Sequence, residues 1–400
     1  MWAYRDAAAP DAPARVPGPL LEARRGDRVI VHFRNGLPYG STIHWHGLRL
    51  PASMDGAHEV VLPGDAYDYE FVARDAGTFW YHPHVRADEQ IERGLQGAFI
   101  VRDELEPAPL AERVLVLDDV KLTGSGELDP IIDHQDLVLG RQGNVLLVNG
   151  VTQPELRATP GTRERWRLVN ASNGRFYDLS LSAGAFEVIG VDGGLIGEPY
   201  TTDRLLMAPG ERFDVMVTLD GAVGQQLTMT TRHHDRGHGV PDPGPQAVLS
   251  IELVHGPAVA ATKPAPQPVA PLPVSAQDRV RPMVLTEDLD ATGGPQFRIN
   301  DELWPFHTPI TAELGATEVW ELRNEADGDH PFHLHGMFFQ VLSSDGTPRQ
   351  PVGWKDTVLV PRLDTVRFAV RFDEPGTWMY HCQIPEHAER GMMGDLSISP

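Results

Sequence analysis

The 400-residue sequence holds a single cysteine, Cys382, so no intrachain disulfide can form. A lone cysteine is ordinarily a small buried hydrophobe, and its neighbours must argue for any chemistry. Lysine is almost missing: of 34 basic residues only Lys121, Lys263 and Lys355 are lysines. Positive charge is scarce altogether, since 56 acidic residues leave a net charge of −22. That excludes a nucleic-acid binder, whose target phosphates demand a basic face. No apolar run approaches the roughly 18–20 residues of a membrane span. Met1–Pro19 lacks the basic start and apolar stretch of a secretory signal. The expectation from that segment is a cytoplasmic chain, or one that begins after cleavage.

Long helical periodicity is also missing. Short β-rich runs broken by Gly, Pro, Asp and Asn dominate instead. Arg28–Phe33, Arg113–Leu117, Val145–Val148, Arg165–Val169, Asp214–Thr218 and Thr365–Phe372 are predicted strands. The 39 glycines and 35 prolines supply the turns between them. This predicts an all-β protein of Greek-key sandwiches or barrels. The Pro-rich stretch His255–Arg281 reads as a stiff linker, and a softer break lies near Asp103–Ala111. The expected domains are 1–105, 106–255 and 282–400, with a linker at 256–281.

The two end domains repeat each other. Gly77–His84 (GTFWYHPH) matches Gly376–Gln383 (GTWMYHCQ), and Ile43–Gly47 (IHWHG) matches Phe332–Gly336 (FHLHG). The middle domain has neither motif. These segments hold His44, His46, His82, His84, His333, His335 and His381, with His330 and His387 close by. Residues i and i+2 of a strand share a face, roughly 6.5–7 Å apart. Each His-x-His therefore aims two imidazoles one way. So many imidazoles with few carboxylates predict several metal ions in one cluster. Copper binds nitrogen most tightly of the common divalent metals. Structural zinc would close with four ligands and usually recruit cysteines.

Cys382 adds a further site. His330, His387, the Cys382 thiolate and a weak Met392 have the composition of a blue-copper electron-transfer centre. Electrons arriving at the sulfur can pass through the backbone into His381. In the repeat, Cys382 aligns with Pro83 and His330 with Ser41, so the first domain keeps the histidine pairs without the thiolate site.

These motifs resemble the multicopper oxidase family, its bacterial laccase-like members especially, and the resemblance spans the chain. It implies three consecutive cupredoxin-like Greek-key β-sandwich domains, and up to four copper ions. Ala208–Asp214 in the middle domain also looks like a family strand and turn. By resemblance, His330, Cys382, His387 and Met392 hold the type 1 copper. His44 and His333 hold the type 2 copper, and His84, His335 and His381 one type 3 copper. His46 and His82 hold the other, with the histidine that the family places after the cysteine. Here that position is Gln383. Losing an imidazole there predicts weak occupancy of that copper and slower turnover.

The acid that the family often places after the histidine at 387 is replaced by Ala388, with Glu389 next. Asp55, followed by Gly56, is the candidate proton donor to reduced oxygen, with a turn-forming Asp as the plain alternative. The segment Arg232–Gly239, with His233, His234 and His238, is expected to be a solvated loop, with an extra surface metal site or a substrate-side loop as the lesser readings.

The implied activity is one-electron oxidation of phenols, aromatic amines or low-valent metal ions, coupled to reduction of dioxygen to water. The implied partners are a small-molecule or metal-ion reductant and dioxygen. The implied setting is a periplasmic or extracellular monomer. Two alternatives stay open: a blue copper electron-transfer or copper-binding protein with an incomplete cluster, and a scaffold relative that has lost catalysis. A two-domain copper nitrite reductase fits the four His-bearing motifs poorly.

Overall fold

The computed structural model describes residues 1–9, 11, 13–103, 106, 111–275, 277–348 and 353–399. The expected strands are present, mostly extended by a few residues at one or both ends. They run Arg28–Arg34, Glu112–Val120, Val145–Val148, Thr162–Asn170, Arg212–Leu219 and Thr365–Arg371. Alternation decides which face is covered: Arg28–Arg34 reads exposed, half-buried, exposed along its length, as a sheet with one wet face requires.

Strands assemble into three successive sandwiches. The first pairs a four-stranded sheet with the antiparallel ribbon Arg28–Arg34/Ala66–Val72. The second has sheets of five and seven strands, the third sheets of six and five. Each unit joins an early strand in parallel to its last strand: Leu21–Arg24 to Gly97–Arg102, Glu155–Ala158 to Gln246–Leu253, and Ile310–Glu313 to Met393–Ser399. A parallel pair cannot be closed by a hairpin, so the chain must cross between sheets, which gives Greek-key connections. Each unit buries its own aromatic core, around Trp45 and Phe99, Trp166 and Phe186, and Trp320 and Phe368 respectively.

The break expected near Asp103–Ala111 falls mostly outside the described residues. The Pro-rich segment runs as an extended strap. It pairs with the second unit through Ala261 N to Arg163 O (2.7 Å), then reaches the third through Leu272 N to Gln340 Oε1 (2.7 Å). The strand Arg279–Leu289 takes in the last three residues expected of the linker. Three helices of five or six residues, Ala87–Glu92, His134–Leu139 and Pro385–Glu389, have no signature in the periodicity, being too short to develop one. No helix among the described residues is long and apolar enough to cross a membrane.

The Arg232–Gly239 loop is not the solvated loop expected from its polar composition. Its polar groups find partners on the third unit: His234 Nε2 donates to Asp329 (2.7 Å), and Arg362 reaches back to Asp235 (3.1 Å). A backbone bridge joins Gly237 to Gly328. The loop is a clasp between units.

His58 ties the first unit to the third, with Nε2 3.1 Å from Asp395. The hydrogen bond to Asp395 raises its pKa, outweighing its partial burial. The folded pKa thus lies above the unfolded value. The stabilisation is complete below about pH 6.5 and is lost as pH rises through the folded pKa. His58→Gln should therefore melt lower than the parent at pH 5.5 and alongside it at pH 8.5. A melting difference that does not change with pH would refute the ion pair.

Candidate metal centre

The sequence repeat becomes a structural one. In the first unit His44 lies opposite His82 across an antiparallel ladder, and in the third His333 lies opposite His381. The two ladders face each other. His44 stacks on His335 with ring centroids 3.9 Å apart, and His46 on His333 at 3.7 Å. Each His-x-His thus inserts into the other unit's pair, and neither unit holds the constellation alone.

Which nitrogen faces inward is set by what the other one does. His44, His82, His333 and His381 each donate Nδ1 to a backbone carbonyl, at 2.8–3.0 Å, on Asp55, Pro83, Asp356 and Cys382. His335 donates Nδ1 to the Asp55 carboxylate at 2.8 Å. His46 is reversed: its Nε2 meets Asp356 Oδ1 at 3.2 Å, leaving Nδ1 inward. The inward nitrogens of His44, His46, His82 and His333 are buried without any partner. Nε2 of His381 lies 3.2 Å from that of His84 and 2.9 Å from that of His335. Burial, reinforced by neighbouring imidazoles, holds His46, His82, His84, His335 and His381 well below the ordinary histidine pKa. Neutral rings with lone pairs converging at such distances repel unless a cation lies between them.

Donor atoms gather within 4.8 Å of one another in four sets: His44/His46/His333, His84/His335/His381, His330/Cys382/His387 and His44/Asp55/His335. His46, placed by resemblance with His82 and Gln383, here shares a set with His44 and His333. His82 stands slightly apart, its ring 5.2 Å from His44 and 5.7 Å from His46. Gln383 is 3% exposed and its Oε1 has no partner. It lies beside Gly210, where a β-carbon would come within 2.6 Å of Gln383 Cγ and 3.1 Å of His46 Cε1.

At the thiol site Cys382 Sγ is 3.6 Å from Nδ1 of both His330 and His387. Those two nitrogens are 3.1 Å apart. His387 Nε2 donates to Val138 O (2.9 Å), and Phe297 stacks on its ring at 3.8 Å. Met392 is fully buried, and its carbonyl accepts from Cys382 N at 3.0 Å. Burial lowers His330 to about 4 and pushes the thiol up, so a thiolate here needs a metal cation.

Multicopper oxidase profiles match residues 12–106, 119–244 and 278–400. A multicopper oxidase of Staphylococcus epidermidis is 30% identical over 96% of this chain and 82% of its own length. The chain belongs to the multicopper oxidase family. The cell division protein FtsP of Xenorhabdus nematophila is 31% identical over 96% of this chain and 83% of its own. A Campylobacter jejuni multicopper oxidase, described as a metallo-oxidase, superposes with a TM-score of 0.86 at 28% identity, covering 97% of this chain and 86% of that one. The three sandwiches are the family's cupredoxin-like domains, and its cofactor is copper.

The donor chemistry fits that metal: neutral imidazoles at the cluster, and two imidazoles with one sulfur at Cys382. Sequence reasoning missed what holds the donors. Arg212, on the middle domain, is fully buried and grips Asp356 of the third through Nη1–Oδ1 (2.7 Å) and Nη2–Oδ2 (2.5 Å). It also donates to Thr78 O in the first domain (3.1 Å) and to Asp192 O (3.0 Å). Burial opposes the charge on Asp356, yet the Arg212 guanidinium overrides it and holds the carboxyl well below the carboxylate range. Lys355 bridges Asp192 (3.1 Å) and Glu211 (2.9 Å). The available signal was Lys355-Asp356 at the head of an apolar strand, in a chain with three lysines.

Asp55 is buried between His44 and His335, more than a turn-former requires. Gly56 permits this: its φ is +77°, and a β-carbon would sit 1.8 Å from Ile43 O.

Arg212→Met strands Asp356 as an uncompensated buried charge and should cost about 3–5 kcal/mol in denaturant unfolding. Loss below about 1 kcal/mol would mean that the pair does not hold the domains together.

Proposed function

We propose that this chain is a laccase-like oxidase. It takes single electrons from phenols, aromatic amines or low-valent metal ions and delivers four to dioxygen, giving water, at a rate reduced by Gln383. The observation that carries this reading is the junction between the two sites. Cys382 and His381 are consecutive, and His381 Nδ1 donates to the Cys382 carbonyl at 2.8 Å. One residue thus belongs to each site, with a covalent path and a hydrogen bond between them.

Bound copper would supply the one-electron redox steps and the site at which dioxygen is reduced. His330, Cys382, His387 and Met392 would hold the ion that accepts electrons. His44 with His333, and His84 with His335 and His381, would hold two more, and His46, His82 and Gln383 the fourth. Asp55 orients His335 and His44 and would serve as the proton donor to reduced oxygen. Gln383 offers a neutral amide oxygen in place of a third imidazole, and such an oxygen is a weaker ligand for copper. The domains are taken to be 1–105, 106–255 and 282–400, with the linker at 256–281, in a monomer that works in the periplasm or outside the cell.

An alternative reading is electron transfer or copper binding by a protein whose cluster never fills. It is favoured by the two-imidazole set at Gln383 and by the likeness to a cell division protein.

Oxygen uptake by copper-loaded protein with a one-electron aromatic donor tests the oxidase reading. About four donors should be oxidised per dioxygen consumed; bleaching by donor without oxygen uptake selects the alternative. Gln383→His should raise copper content toward four per chain and turnover by about tenfold or more. No change in either would remove position 383 from the ligand set.

A further inference from the structure

The Arg232–Gly239 loop, unused by the copper sites, lines a cleft of about 350 Å³ with Phe176, Gln142 and Arg175. On a chain of net charge −22 this cleft is cationic, lined by Arg175, Arg232 and Arg236. Arg175 donates to Asp119 at 2.5 Å, and His234 is spent on Asp329 at 2.7 Å. Arg236 is different. It is 4% exposed, and no carboxylate pairs with it among the described residues. With the Gln142 amide turned so that its oxygen faces Arg236, that oxygen accepts from Nε and Nη2, while Nη1 has no partner. A buried guanidinium with an unmet donor costs stability unless an anion completes it. The remaining N–H, on Nη1, can meet one carboxylate oxygen in a charge-assisted hydrogen bond.

Besides the arginines the lining carries one phenyl ring, Phe176, and the imidazoles of His233 and His234, among polar and small residues such as Gln135, Gln246, Val240 and Pro241. Phe176 stacks on His234 with centroids 5.3 Å apart, and Arg236 lies 5.2 Å from the Phe176 ring. The volume falls at the small end of ligand pockets, enough for one ring. The lining backs onto the electron-accepting site. Asp329, the partner of His234, donates its N–H to Arg236 O (3.0 Å) and directly precedes His330.

We propose that this cleft binds aromatic carboxylates, the carboxylate on Arg236 and the ring on Phe176 and His234, and that carboxylated phenols are the preferred reductants. The reductant half rests on the oxidase reading; the binding half does not. Each phenol loses one electron and its hydroxyl proton to become a phenoxyl radical. Four electrons and four protons convert one dioxygen to two waters.

Calorimetry on the copper-loaded chain tests this with benzoate, benzyl alcohol and inorganic phosphate. Benzoate should bind one per chain, at least about tenfold tighter than benzyl alcohol or phosphate, and Arg236→Met should lose at least about tenfold of that affinity. Removing an unpaired buried charge should leave the melting point unchanged or higher. Equal binding of benzoate and benzyl alcohol, or unaltered benzoate affinity in Arg236→Met, overturns the site. Phosphate binding as tight as benzoate overturns the aromatic specificity. If Arg236→Met fails to fold, the three-ligand comparison on the parent chain decides. Benzoate has no phenolic hydroxyl to oxidise, so its binding is read apart from turnover. Binding without oxygen consumption upholds the cleft and removes the oxidase; oxygen consumption without binding does the reverse. For the reductant half, 4-hydroxybenzoate should exceed 4-hydroxybenzyl alcohol in kcat/KM, and equal values overturn it.

Discussion

The paired charges of Arg212 and Asp356 are the constraint on which the metal centre depends. Both are fully buried, and each would be intolerable without the other. Their bidentate contact joins the middle domain to the third. The same carboxylate takes the His46 proton, and the Asp356 carbonyl takes that of His333. One ion pair therefore sets the interdomain geometry and the orientation of one cluster histidine from each end domain. A middle domain without histidine motifs is indispensable because it brings the guanidinium.

Around this pair the centre is built from groups that are each unsatisfied alone. Unpartnered nitrogens on His44, His46, His82 and His333 are a cost that folding accepts only if something binds there. Burial holds His46, His82 and His333 below the ordinary histidine pKa, which makes them ligands instead of cations. The thiol at Cys382 is held protonated by the same burial until a cation draws the proton off. Low dielectric thus has two effects: it disfavours the protein's own charges and prepares the site for the metal's.

Gln383 shows how local a departure can be. Directly after the strand Gly376–Cys382, its backbone donates to Pro331 O at 2.7 Å and its side chain packs beside His46 and Gly210, so an amide stands where the family resemblance expects an imidazole. Arg236 presents the opposite case, a buried guanidinium whose Nη1 has no hydrogen-bond partner and which no carboxylate contacts directly among the described residues. Both are positions where local chemistry and packing disagree, and such disagreements mark function more often than accident.

The residues by themselves determined the β class, since alternation and turn residues are local properties. They determined the ligand types too. Spacing i and i+2 forces two imidazoles onto one face whatever the fold does, and the repeat of Gly77–His84 in Gly376–Gln383 announced two facing ladders. Short helices and the clasp at Arg232–Gly239 were not legible. A helix of five or six residues lacks enough turns to show a period. The clasp has the polar composition of a solvated loop, and its partners sit on another domain, far along the chain. Tertiary structure alone decided that His44 stacks on His335, that Asp55 touches both, and that Arg212 reaches Asp356 across 144 positions. Ligand identity is written in the chemistry of each residue. Which lone pair faces the metal depends on another partner brought from a distant segment, and only the folded packing supplies it.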